Sequence, residues 1–290
     1  MNNRMSLKDQ RKPRRRIVAA IIAVLTIWAF YPGLALRSYQ LRSKKIPNGF
    51  VRIVCIADLH SHIYGQNQQP LIQLIDEQKP DIIALLGDIA DDKVPDSGML
   101  SLLEGIKDTA LIYYVSGNHE YWSDRYDDIK AKIESFGVTV LDNKSEDIIV
   151  NGVRMCVSGV DDPLFLEHKE FPDWRTDTKQ AALFRRQFFD LDNSVFNVLL
   201  AHRPERIHTY LKYDFDLILA GHTHGGQVRI PLLLNGLLAP NQGFFPKYGG
   251  GRYDFDGKSM IISRGLSFIR YVPRIFNPPE VVVVDIVSGT

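Results

Sequence analysis

The chain has 290 residues, 45% of them hydrophobic, with a formal net charge of +1 and two cysteines. That length and apolar content can bury a full core, and the near balance of charge argues for no particular partner. Cys55 and Cys156 lie inside apolar strand-like runs and read as small buried hydrophobes that say nothing about compartment.

In chain order, residues 1–16 form a basic tail, with Arg4, Lys8, Arg11, Lys12, Arg14, Arg15 and Arg16 set against Asp9 alone. Residues 17–36 follow without a single charge, with Trp28 and Tyr31 toward one end. Roughly 20 apolar residues are enough to cross a bilayer, so the expectation is an uncleaved transmembrane anchor. A cleaved signal peptide is the alternative, because Pro32 and Gly33 interrupt the run. The basic residues ahead of the span outnumber those after it, which predicts a cytoplasmic N-terminus and a main domain outside the cytoplasm. Residues 37–49 read as a polar tether ending in Pro47, Asn48 and Gly49.

From residue 50 to 288, strand-like runs alternate with helical patterns at 68–78, 99–107, 124–136, 179–190 and 204–211. Continuous apolar strands such as IIALL and LILA point to burial on both faces. The segment DIIVNGVRMCVSGV predicts a hairpin turning at Asn151–Gly152. The late strands MIIS and VVVVDIV have no strong helix between them, so the sheet is mixed. Residues 162–194, rich in aromatic and charged side chains that include His168 and Trp174, fit either an insert over a site or a surface helix.

Five of the apolar runs end in residues able to bind a metal: Asp58 and His60, Asp88, Asn118 and His119, His202, and His222 and His224. Ligand sites of open α/β sheets lie beyond the carboxyl ends of the strands, so five such endings imply one shared site. The pairs Asp58/His60 and His222/His224 are two residues apart and would point the same way in an extended chain. Two cations about 3.5–4 Å apart need a bridging carboxylate, and Asp88 is central in the series. Between them the cations would turn a bridging water into hydroxide for attack on phosphorus. Carboxylate, imidazole and amide ligands without cysteine suit Mn, Fe or Zn.

The ordered set D-x-H (Asp58–His60), G-D (Gly87–Asp88), G-N-H-E (Gly117–Glu120), His202 and G-H-T-H (Gly221–His224) resembles the calcineurin-like metallophosphoesterases over about residues 50–288. The resemblance implies a four-layer α-β-β-α sandwich of two mixed sheets. It also implies that Asp58, His60, Asp88 and His224 hold one divalent metal and Asp88, Asn118, His202 and His222 the other. His119 is then not a ligand but a proton donor to the leaving oxygen, with Asp91 as its orienting carboxylate. The runs GHTHGGQVRIP, GVDDP, AHRPE and SRGLS are similar to those of membrane-associated bacterial members, some of which act as UDP-2,3-diacylglucosamine pyrophosphatases. The implied substrate is a phosphoester, lipid-linked or soluble. Outside the N-terminal cluster no basic and aromatic stripe follows a phosphate backbone, so no nucleic acid is expected, and no obligate protein partner is expected either. The competing reading is an inactive scaffold that keeps the fold. Scaffolds of that kind usually lose ligands, and none is missing here.

Overall fold

The computed structural model describes residues 7–46, 49–167, 182–268 and 272–289. Helix α1 (Leu7–Ala29) leads into strand β1 (Ala35–Ser43), after which come β2 (Phe50–Ile56), α2 (Gln69–Asp76), β3 (Ile82–Leu86), α3 (Ser97–Ile106) and β4 (Leu111–Val115). A short helix α4 (Asn118–Trp122), then α5 (Tyr126–Ser135), β5 (Thr139–Val140), β6 (Ser145–Val150), β7 (Val153–Gly159), β8 (Phe196–Leu200) and β9 (Leu217–Ala220) follow. The chain closes with β10 (Leu238–Ala239), β11 (Gly243–Phe244), β12 (Gly251–Phe255), β13 (Lys258–Ile262) and β14 (Glu280–Ser288).

Two six-stranded mixed sheets result, ordered β1-β14-β2-β3-β4-β5 and β12-β13-β9-β8-β7-β6. Alternate residues of facing strands meet between them: Ile53 and Cys55, Ala84 and Leu86, Val198 and Leu200, and Leu217 and Leu219. The outer face of the first sheet is sealed by Leu71 and Ile75 of α2, Leu102 and Leu103 of α3, and Ile129 and Ile133 of α5. Phe184, Phe188, Ile207 and Tyr210 cover the second sheet. Burial on both faces is why β3, β8 and β9 are apolar at nearly every position. The hairpin turns where expected, with Asn151 (φ 50°) and Gly152 (φ 77°) both left-handed, as its tight turn requires.

Strands β2, β3 and β4 run parallel, as do β8 and β9, so their carboxyl ends lie at one edge of the sandwich. Of the expected helices, 68–78, 99–107 and 124–136 correspond to α2, α3 and α5. The expected helix 204–211 is a 3-10 turn, Pro204–Arg206, running into Ile207–Tyr210, while of 179–190 residues 182–188 are helical. His168, Trp174 and the rest of 168–181 lie outside the described residues.

The N-terminal expectations need correction. Among the described residues no helix is long and apolar enough to cross a membrane. The uncharged run 17–36 is divided: its first part ends α1 at Ala29, the chain turns at Pro32 and Gly33, and Ala35 and Leu36 already belong to β1. Proline lacks an amide hydrogen and fixes its backbone angle, which ends the helix there. The expected tether 37–49 is largely a strand, with Ala35–Ser43 paired in parallel with β14.

Candidate metal centre

Each ligand-bearing loop turns sharply off its strand. Asp58 (φ 52°), His60 (φ 48°), Asp88 (φ 53°), His222 (φ 71°) and His224 (φ 48°) all adopt the left-handed region that non-glycine residues avoid. The i, i+2 pairs therefore converge through strained turns and not through an extended chain, and such strain persists only where the surroundings hold it. Two glycines make the close approach possible. A Cβ on Gly117 would lie 2.2 Å from Asp88 Oδ1, and one on Gly87 would lie 2.6 Å from His202 Nδ1.

Glu120 locks these loops together. Its buried carboxylate accepts the backbone N–H groups of Asp88 (2.9 Å), Ile89 (2.7 Å), Ala90 (3.0 Å) and Gly117 (2.9 Å). Burial, and then the charge of Asp88, push its carboxyl up to about 7. Asp88 Oδ1 accepts the N–H of His119 at 2.8 Å, which leaves Oδ2 free. That one oxygen lies 3.2 Å from His202 Nε2 and 3.7 Å from His60 Nε2, so it joins two clusters.

The inner cluster contains Asp88, Asn118, His202 and His222. The Nδ1–H of His202 donates to the Leu86 carbonyl at 2.8 Å, so its Nε2 carries a lone pair. The Nε2–H of His222 donates to Asn241 Oδ1 at 2.8 Å, which leaves a lone pair on Nδ1. Arg203 Nη1 donates to the same Asn241 oxygen at 2.9 Å and fixes which way that amide faces. His202 Nε2 then faces His222 Nδ1 at 3.1 Å, Asn118 Oδ1 at 3.2 Å and Asp88 Oδ2 at 3.2 Å. Four electron pairs converge with no proton that could satisfy them all, and a cation does. The electrostatics agree. Burial opposes charge on His202, yet Asp88 beside it raises the imidazole to about 10, so without a cation Nε2 takes up a proton in the place where its lone pair would meet the cation.

The outer cluster contains Asp58, His60 and His224, with ligand atoms within 4.8 Å of one another. Asp58 accepts the N–H of His222 at 3.0 and 3.1 Å, tying one sheet's loop to the other's. His60 donates from Nδ1 to Asp91 Oδ2 at 3.0 Å, and its buried Nε2 has no hydrogen-bond partner, as a ligand nitrogen requires. The cluster opens on a cavity of about 370 Å³ lined by His60, His62, Asp91, Val94, His119, His224, Ser267 and Phe268.

Asp91 and His119 meet differently from the expected pairing. Asp91 holds His60 and lies 3.3 Å from His119 Nδ1, while Asp92 Oδ1 accepts from that nitrogen at 2.7 Å. Burial would lower His119, but hydrogen bonding to Asp91, the charge of Asp88 and hydrogen bonding to Asp92 raise it to about 9. Asp92, Glu120, Asn241 and His62 carry no assigned role in the sequence reading. Glu120 stood within the quoted G-N-H-E, whereas Asn241 lies in a remote hairpin that no spacing links to a metal motif.

The calcineurin-like phosphoesterase family profile matches residues 51–226. The chain belongs to that family. A Caenorhabditis elegans protein named for a metallophosphoesterase is 33% identical over 203 residues, which cover 65% of this chain and 41% of that protein. This chain thus matches less than half the length of that relative. An uncharacterized metallophosphoesterase of Campylobacter jejuni is 28% identical over 282 residues, covering 94% of this chain and 70% of the relative. Among solved structures, the phosphopantetheinyl hydrolase of Mycobacterium tuberculosis aligns with a TM-score of 0.47 and 15% identity, covering 72% of this chain and 87% of that one. In this calcineurin-like member the two clusters joined at Asp88 Oδ2 fit the two-metal character of the family.

Proposed function

We propose that the protein hydrolyses a phosphoester bond, a phosphodiester or pyrophosphate, with two divalent cations as cofactors. Asp58, His60, Asp88 and His224 would hold one cation, and Asp88, Asn118, His202 and His222 the other. The observation that carries this reading is the position of Asp88 Oδ2 between Nε2 of His202 and Nε2 of His60. Bound cations supply Lewis-acid activation of water and neutralise phosphate charge. Asn118, at the start of α4, would orient a phosphate oxygen beside them. His119 opens on the cavity with Asp92 and Asp91 behind it, so its imidazolium can donate a proton to the leaving oxygen. The mixed imidazole, carboxylate and amide donors suit Mn, Fe or Zn.

The protein would work at a membrane surface on an amphiphilic, lipid-linked phosphoester. Support comes from the apolar side chains of α1, since Ile17, Val18, Ile21, Ile22, Val24, Leu25, Ile27 and Trp28 are all exposed. Turnover of a chromogenic phosphodiester with added Mn tests the chemistry. The Asp88→Asn variant should lose at least about a hundredfold, because both cation sites weaken together. Near-normal turnover would refute the bridge.

A further inference from the structure

A second set of exposed apolar side chains lies far from α1 in sequence. Ile230 and Leu234 bridge to close a tight turn whose tip carries Leu232 and Leu233, 106% and 84% exposed. The β10–β11 hairpin beside it presents Leu238, Phe244 and Phe245 to solvent. Leu232 (φ 68°) and Phe245 (φ 57°) are left-handed, a strain that side chains of this size seldom accept and that here accompanies outward display. The turn is not a loose loop. Ile230 and Leu234 exchange backbone hydrogen bonds at 3.0 and 2.8 Å. In the adjoining hairpin Leu237 N–H donates at 2.9 Å to the carbonyl of Gly226, two residues past the G-H-T-H motif, and Phe245 N–H donates to the Leu237 carbonyl at 2.8 Å.

The turn is also continuous with α1. Val228 bridges to Ile275, whose N–H donates to Gln227 at 3.1 Å, and the next residue, Phe276, donates to the carbonyl of Ala29 at 2.7 Å. Phe276 then packs edge-on against Trp28, with ring centroids 4.9 Å apart. The segments 10–57, 217–253 and 257–279, which supply these elements, contain no Asp or Glu, although the chain as a whole has 34. They carry ten, three and four Lys or Arg respectively. Of these, Arg15, Arg16 and Lys247 are exposed beside the apolar side chains, whereas Lys45, Arg52, Arg252 and Arg264 pair with Asp216, Asp285, Asp254 and Glu280, and Arg274 is buried. Apolar display flanked by exposed cations matches the chemistry of a bilayer that contains anionic lipid.

We propose that the 230–234 turn and the 238–245 hairpin are a membrane-docking surface of the catalytic domain itself, continuous with α1, whose occupant is an anionic lipid bilayer. The inference extends the membrane reading above from the N-terminal helix to the domain. The docked hairpin carries Asn241, which contacts His222 at 2.8 Å, and so brings the metal centre to the lipid surface.

Cys55 and Cys156 are buried, so a full-length Leu233→Cys chain can be labelled at position 233 with an environment-sensitive fluorophore. Phosphatidylcholine vesicles containing phosphatidylglycerol should shift its emission to the blue and allow quenching by acyl-chain spin labels, more strongly than phosphatidylcholine alone. In parallel, Phe244→Glu should weaken cosedimentation of the full chain by about tenfold, the effect of removing one large apolar contact. Emission that stays aqueous while the chain cosediments would overturn the proposal and leave α1 as the sole contact. So would a blue shift without lipid that grows with protein concentration, which assigns the face to a second copy. Hydrolysis of a soluble diester by the unmodified chain is read separately, so its absence fails the hydrolase reading and not the lipid contact.

Discussion

The inner cluster is shut away from solvent and its two imidazoles are aimed by the Leu86 carbonyl and by Asn241, whereas the outer cluster opens on the cavity and its most accessible imidazole, His60, leans on the Asp91 carboxylate. A backbone carbonyl between packed strands cannot rotate away. The Asp91 carboxylate is shared, since it also lies 3.3 Å from His119 Nδ1 and accepts the N–H groups of Lys93 at 2.8 Å and Val94 at 3.0 Å. The contrast teaches that one cation site is built as part of the core and the other as part of the substrate pocket. The first should bind tightly, and the second should exchange.

The sharpest way to break this comparison is to remove one imidazole from each side. His202→Ala should abolish turnover by about a thousandfold or more and leave the chain short of a cation even in excess metal, because a buried set of donors loses its central member. His60→Ala should lose only the weaker site, detected as about one metal per chain after gel filtration. Equal losses of bound metal in the two variants would erase the distinction.

Next in size is the proton donor. His119→Asn should lower kcat by about a hundredfold or more, the usual contribution of a positioned acid. His119 is raised to about 9, so its imidazolium is present below that pH and is lost as pH rises through it. Bound cations nearby repel that charge and bring the limb lower. Activity therefore falls on the alkaline side, and Asp92→Asn should move the fall to lower pH because it removes the carboxylate charge 2.7 Å from Nδ1 and leaves only a neutral amide acceptor. A pH profile that keeps its alkaline limb in place would reassign His119.

The smallest effect is expected at the hairpin. Asn241→Ala should weaken inner-site metal affinity by about tenfold with only a small fall in the melting temperature of the metal-free chain, since Asn241 is exposed and aims His222, and Arg203 loses one acceptor but keeps Asp162.

The mixed-sheet α/β fold and the seven side chains proposed as ligands both leave local marks in the sequence. Strands such as IIALL and LILA must be apolar throughout when two layers cover them, and each ends in a chemically conspicuous residue. How the ligands converge is not legible there, since left-handed turns at Asp58 and His60 look in sequence like an alternating strand end. Nor does the uncharged run 17–36 reveal that Pro32 and Gly33 break it and that Ala35 onward pairs with β14. Asn241, and the choice between Asp91 and Asp92 behind His119, depend on loop paths that no spacing encodes.

Calorimetric titration of the metal-stripped full chain with Mn tests the account most directly. Two binding steps of unequal affinity are expected, with the weaker one lost in His60→Ala and both lost or strongly weakened in Asp88→Asn. A single step in the native chain, or two steps that survive in Asp88→Asn, would contradict a centre joined at the Asp88 carboxylate.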